Sequence, residues 1–265
     1  VLEAIVGAAS VGPADVVLEV GPGPGLLTRH LLARGARVVG VEIDPAMEAV
    51  ARRLVEPELR PRLHWIEADA LAGGRRLAPA LAERLGECTA FVSNLPYQIA
   101  GPLLGALAAH PDAPARWAVL VQLEMAGRLL ARPGGKDFGT LTALVQRAVD
   151  WVPGRRVAPG AFWPAPRVWS RWLGARLRPD RPDPAAFARF EAFAALAFEA
   201  RRKTLLNSVA RAARRPVAEV RARLGLQDSR ERWRAEQFET LQLWALADRW
   251  SGTASGEHRP SDAKE

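Results

Sequence analysis

Val16-Val17-Leu18-Glu19-Val20-Gly21-Pro22-Gly23-Pro24-Gly25 runs from an apolar, β-branched segment straight into three glycines spaced two apart. Without a Cβ, glycine lets the chain turn sharply off a buried strand and lets a ligand approach the backbone. The next stretch, 25–33, is compatible with a helix, whose free N–H groups favour a carboxylate or phosphate. The spacing is G-x-G-x-G, not the G-x-G-x-x-G expected for a dinucleotide. Alone it is a weak signal, and a structural glycine turn is a serious rival.

Around this turn the chain alternates. Strand-like runs at 16–20, 37–43, 63–67, 89–93 and 117–123 are separated by helix-compatible stretches at 25–33, 45–55 and 101–109. That alternation predicts an α/β fold with a parallel sheet covered on both faces. After Phe138, 140–152 and 168–177 read as two further strands, or a helix and a strand, around the stiff segment 162–166. Three prolines in 179–184 mark a linker. Beyond it, 185–207, 211–224 and 236–250 read as amphipathic helices. The polar end, 251–265, is expected to be a disordered tail. The expected organisation is a sheet domain over 1–178, a small all-α domain over 185–250, and the tail.

The chain has 265 residues, 49% of them hydrophobic, enough to bury a core. Its single cysteine, Cys88, excludes an intramolecular disulfide framework and a multi-Cys metal site, and no metal is expected. One thiol also fits a reducing compartment, hence a cytoplasmic location. No apolar run is long enough to span a bilayer, so no membrane partner is expected.

The net charge of +8 is unevenly placed. Residues 201–234 hold eleven Lys/Arg against three acids, so the rest of the chain, with 26 of each, is neutral. A solvated Arg-rich face and a footprint for a polyanion explain this equally well. The four histidines, His30, His64, His110 and His258, sit beside no motif.

Two carboxylates strengthen the ligand reading. Glu42 ends the second strand about 20 residues past the glycines, where an acid can accept both hydroxyls of a ribose. Asp69 follows the third strand at the same edge, within reach of a purine amino group. Next comes Asn94-Leu95-Pro96-Tyr97. Methylating an exocyclic adenine amine needs acceptors on its hydrogens, so that nitrogen moves toward sp³ as the methyl arrives. Asn94 has a side-chain oxygen, and the Leu95 carbonyl before Pro96 is a second acceptor. Pro96 biases Leu95 to an extended conformation. Tyr97 offers an aromatic face to a base that has left its stack. An ordinary strand-ending turn has the same composition, and the tetrapeptide alone does not decide.

The segments 19–25, Glu42, Asp69, Asn94–Tyr97, Gln122-Leu123-Glu124, Lys136-Asp137-Phe138-Gly139, 162–168 (FWPAPRV) and 201–205 (RRKTL) follow one another in order. In this the chain resembles the ribosomal RNA adenine N6,N6-dimethyltransferase family, and most its small-subunit (KsgA-type) branch, across essentially 1–250. The resemblance implies a Rossmann-like class I methyltransferase sheet with a small C-terminal all-α domain. It implies S-adenosyl-L-methionine as cofactor and two adjacent adenines of 16S rRNA, in the small ribosomal subunit or its precursor, as acceptors. By that resemblance Gly21, Gly23 and Gly25 lie beside the methionine part, Glu42 holds the ribose and Asp69 reads the cofactor's adenine. Asn94, Leu95, Pro96 and Tyr97 hold the target amine and base, with Asn94 also on the cofactor side. Phe162 stacks on the base's other face, and Arg201, Arg202 and Lys203 seat the RNA. The enzyme is expected to be monomeric.

The chain departs from the family pattern in three places. It starts at Val1, without the Asn-Phe-Leu-like stretch that the family carries over the cofactor. Gln98 replaces a common Asn, a mild variation, and Trp169 replaces a common acid, which reads as a local packing change. Two rival readings remain: a large-subunit adenine N6-methyltransferase of the macrolide-resistance type, and a ribosome assembly factor acting mainly by binding. A nicotinamide oxidoreductase is disfavoured by the glycine spacing and by the lack of a proton donor among the motifs.

Overall fold

The apolar runs become strands because the layers on both faces of the sheet bury them: every residue of β1 (Val16–Val20) is buried, as is β2 (Arg37–Glu42) past its first residue. The computed structural model describes residues 2–162 and 165–252, with the backbone alone at Asp228 and Ser229. The remaining strands are β3 (Leu63–Glu67), a short hairpin of β4 (Leu71–Ala72) and β5 (Arg76–Leu77), β6 (Ala90–Asn94), β7 (Arg116–Gln122), β8 (Val149–Val157) and β9 (Ser170–Leu177). The main sheet has seven strands in the order β3-β2-β1-β6-β7-β9-β8. Its first five strands are parallel, and β9 runs antiparallel to β7 and β8.

Helices α1 (Leu2–Ala8), α2 (Leu26–Ala33), α3 (Pro45–Leu54), α4 (Pro79–Ala82), α5 (Ala100–Ala109), α6 (Leu123–Leu129) and α7 (Thr140–Ala148) accompany the sheet. Leu27, Leu31 and Leu32 of α2 join Val17, Val38, Val92 and Leu120 in one buried cluster. Arg116 ties α1 to the sheet: its guanidinium donates to the Ala9 and Ser10 carbonyls, each at 2.9 Å, and pairs with Asp15. The carbonyl oxygen of Pro114 accepts the Trp117 indole N–H at 2.7 Å.

Contacts divide the chain into two compact units, 1–132 with 137–184, and 133–136 with the residues after Pro184. The second unit carries α8 (Pro184–Ala197), α9 (Leu205–Ala213), α10 (Val217–Leu224) and α11 (Thr240–Ser251). Its core holds Phe187, Phe190 and Phe193, with Phe190 stacked on Trp244 at 4.2 Å.

Several sequence expectations shift here. Residues 140–152 hold helix α7 and then the start of β8; 142–145 and Ala148 are buried, which covers most of the helix's circumference. Strand β8 tolerates Pro153 and Gly154 because it is an edge strand with a register shift between Pro153 and Arg156. The stretch 185–207 is two helices: Thr204 caps α9 by accepting from Asn207 N at 3.3 Å. The buried Ser208 hydroxyl meanwhile donates to Leu196 O at 2.8 Å and accepts from Ala200 N at 3.1 Å. The stretch 211–224 also breaks, at Arg214, whose φ of +54° is left-handed, and Pro216 then precedes α10. The last helix starts at Thr240, not at 236, and runs through Ser251. Residues 253–265, most of the expected tail, lie outside the described residues. No helix among the described residues is long and apolar enough to cross a membrane.

Candidate active site

In an open parallel sheet the crevice lies at the carboxyl ends of the strands, where strand order reverses. Here that point falls between β1 and β6, paired side by side although far apart in sequence. The glycine turn leaving β1 therefore faces the Asn94–Tyr97 turn leaving β6. Contact between them is close: at Gly21, where φ is +68°, an added Cβ would stand 2.7 Å from Pro96 Cγ. Gly25, at φ +83°, meets Ala51 in the same way at 2.9 Å, so both positions exclude a side chain for two independent reasons.

Between the two turns lies a cavity of about 380 Å³, lined by Glu19, Gly21, Leu26, Asn94 to Tyr97 and Phe162 among others. Strand β6 is buried through Ser93 and then delivers Asn94 to the surface. Leu95 N donates to Leu120 O at 3.1 Å, which fixes the turn to β7. The Pro96 carbonyl accepts from Ile99 N at 3.2 Å. Among the described residues, no hydrogen bond ends on the Leu95 carbonyl oxygen or on the Asn94 side chain. The Tyr97 hydroxyl is 3.1 Å from that of the buried Ser170 on β9, which anchors the ring. Phe162, half-buried and packed on the core cluster, lines the cavity with Tyr97. Trp163 and Pro164 of the same motif lie outside the described residues.

The two acidic candidates sit along the adjoining strand ends, outside this cavity lining. Glu42 is 9% exposed, and its carboxylate accepts from Gly23 N at 2.9 Å, Ile43 N at 2.9 Å and Asp44 N at 3.1 Å. It thus clamps the glycine turn. Asp69 is exposed and accepts from Leu71 N at 2.9 Å. Helix α2 begins without a side-chain cap, its N-cap being Gly25, so its first N–H groups are open to an anion.

Glu19, which heads the 19–25 motif but has no role in the sequence reading, is also part of the cavity wall. Glu19, 1% exposed, lines the cavity and accepts from the Thr28 hydroxyl at 2.7 Å. Burial pushes its carboxyl up to about 8; the Thr28 hydrogen bond opposes this and the charge of Glu42 adds to it. An acid within an otherwise apolar strand run was the available signal.

The other candidates lie elsewhere. Arg201, Arg202 and Lys203 are exposed in the turn between α8 and α9 of the second unit, not on a helix. Arg201 donates to Lys136 O at 2.8 Å. Among the described residues Arg202 and Lys203 form no ion pair. Trp169 is 49% exposed.

Residues 1–244 match the family model described as Ribosomal RNA adenine dimethylase. The chain is 39% identical over 259 residues to the ribosomal RNA small subunit methyltransferase A of Anaeromyxobacter sp. (strain K), covering 95% of this chain and 89% of that protein. A dimethyladenosine transferase from Plasmodium falciparum has the same fold, with a TM-score of 0.74 at 22% identity over 95% of each chain. The 23S rRNA methyltransferase ErmE matches with a TM-score of 0.58 at 28% identity, over 93% of this chain and 96% of that one. With a reversing parallel sheet, a glycine turn facing an Asn-Leu-Pro-Tyr turn, and a family match over nearly its whole length, this chain belongs to the ribosomal RNA adenine dimethylase family.

Proposed function

We propose that this chain transfers methyl groups from S-adenosyl-L-methionine to the N6 amines of two adjacent adenines in a small-subunit rRNA hairpin, giving N6,N6-dimethyladenosine. The observation that carries this reading is the pair of acceptors Asn94 Oδ1 and Leu95 O, which carry no hydrogen bond among the described residues and belong to residues lining a cavity with the glycine turn. Two acceptors fit the two hydrogens of an exocyclic amine, and they draw its lone pair out of the ring without a strong general base. Tyr97 and Phe162 hold the base by its faces.

The residues present suit the cofactor. The space a Cβ would take at Gly23 is open, and the uncapped start of α2 suits a carboxylate. Glu42 and Asp69 stand along the strand ends for the ribose and the adenine. When bound, S-adenosylmethionine supplies an electrophilic methyl group on a sulfonium sulfur. The chain's part is orientation: Gly21 and Pro96, packed against each other, bring the donor and acceptor turns together.

The discriminating experiment offers radiolabelled S-adenosylmethionine with undermethylated 30S and 50S subunits. Label is expected in the 30S subunit as N6,N6-dimethyladenosine. Label confined to the 50S subunit would transfer the protein to the large-subunit reading, against which the 39% identity to a small-subunit enzyme already weighs. Binding without transfer would favour the assembly-factor role.

Arg202 and Lys203, exposed in a strongly basic unit, are assigned to rRNA phosphates, and the protein acts as a monomer in the cytoplasm. Replacing both with Ala is expected to weaken 30S binding and to lower its salt slope by about one for each phosphate no longer neutralised, with cofactor affinity unchanged. Binding isotherms at several salt concentrations check this; an unchanged slope removes the pair from the interface.

A further inference from the structure

The second unit is not the only basic surface. From Trp151 to Pro179 the chain has six arginines, at 155, 156, 167, 171, 176 and 178, and no acid. The flanking Asp150 and Asp180 both pair with Arg178, which removes that arginine from the free set. Arg155, Arg156 and Arg167 are exposed and, among the described residues, form no ion pair. Arg171 donates to Gly154 O at 2.9 Å, which stitches β8 to β9.

This arginine cluster adjoins the acceptor cavity. Ala161, Phe162 and Pro166 line the cavity, and the chain then emerges at Arg167, Val168 and Trp169 before entering β9 at Ser170. Ser170 is buried with its hydroxyl toward Tyr97, whereas Val168 and Trp169 are 43% and 49% exposed. Pairing sets Arg156 opposite Arg171 and Val157 opposite Ser170, so Arg156 is within two residues of the position facing Trp169. The Trp169 carbonyl accepts from Leu123 N at 2.9 Å, so its backbone is held in place. The acid beside that hydrogen bond, Glu124, is occupied by Arg128.

An exposed indole with Arg167 two residues before it in the chain and Arg156 close to it in register on the paired strand fits a single-stranded nucleic acid: the aromatic face stacks a base and the cations take phosphates. A tryptophan left half in water adds little to the core of a folded monomer. A base taken into the cavity must leave its neighbours unstacked, and that loss is recovered if a neighbour finds a new surface.

We infer that Trp169, with Arg156 and Arg167 beside it, is a stacking platform for the nucleotide adjoining the adenine that enters the cavity. This rests on the methyltransferase reading above. Stacking on the platform holds the RNA strand at the cavity mouth and leaves the transfer step to Asn94 and Leu95.

The test compares wild type, Trp169→Ala and Trp169→Phe in steady-state methylation of undermethylated 30S subunits. Trp169→Ala is expected to raise KM for the subunit about tenfold while kcat stays within about twofold. Trp169→Phe is expected to restore most of the loss. Arg156→Ala is expected to raise KM and flatten its salt dependence. Cofactor affinity, measured on each variant, reports that the fold is intact. If Trp169→Ala keeps the wild-type KM, or lowers kcat alone, the platform is refuted while the methyltransferase reading stands. Absence of transfer by wild type refutes that reading instead.

Discussion

Asn94→Ala is expected to lower kcat for methyl transfer to 30S subunits by about 10²- to 10³-fold, the usual cost of removing one preorganised polar group aimed at developing charge. The side chain is exposed at the end of β6 and, among the described residues, makes no hydrogen bond, so its loss leaves nothing buried and unpaired. Backbone anchoring survives, because Leu95 N still donates to Leu120 O. Nitrogen becomes more nucleophilic only as its hydrogens are taken up, an interaction that strengthens toward the transition state, and the loss therefore falls on kcat. Cofactor affinity is expected to change by less than about tenfold. Asn94→Asp retains a side-chain acceptor and is expected to keep more activity than Ala. Single-turnover transfer with both variants checks this ranking. Equal rates for wild type and Asn94→Ala would place the amine's acceptors elsewhere and remove the main support for the proposed chemistry.

The sheet was legible because burial imposes a pattern that residues carry individually. Strands β1 and β3 match their sequence expectation to the residue, and the other central strands to within one residue at each end. What placed the glycine turn against Asn94–Tyr97 was topology: alternating strand and helix demanded a parallel sheet with the ligand at its carboxyl edge. Only the folded chain adds the close packing of Gly21 on Pro96, which is a matter of tenths of an ångström.

Helix breaks in the second unit were not legible. Arg214 takes a left-handed conformation that usually announces itself as Gly or Asn, and Arg gives no such sign. Ser208 and Thr204 act through hydroxyl bonds to backbone groups up to 12 residues away, which periodicity does not record. The change of context moves Arg202 and Lys203 from a helix to a turn and leaves their charge and exposure intact. Trp169 illustrates the reverse case. In sequence it reads as a local packing change, and its 49% exposure, three residues past the cavity-lining Pro166, emerged only in three dimensions.

Glu19→Gln is expected to stabilise the cofactor-free protein strongly above neutral pH and hardly at all in acid. Unfolded, a glutamate releases its proton near 4.5, whereas folded Glu19 holds it until about 8. Between those limits the native state binds more protons than the unfolded one, so wild-type stability falls as pH rises through this window. At roughly 1.4 kcal/mol per pH unit the full loss is about 5 kcal/mol, complete above pH 8 and absent below 4.5. Glutamine is shaped like the protonated acid, does not titrate, and retains an oxygen for the Thr28 hydroxyl that now donates at 2.7 Å. Urea unfolding of both proteins at pH 5.5 and 8.5 separates the contributions: the variant's advantage should grow by several kcal/mol between the two. A constant difference would mean that Glu19 is ionised throughout, held by a counter-charge that is not among the described residues of the cavity wall. The cost of the buried acid points to its use, because a carboxyl poised near 8 on the cavity wall can either donate to an anion or accept from an ammonium group. On the proposed reading both groups occur on the methionine end of S-adenosylmethionine, and we propose that Glu19 is kept for that match at the expense of stability.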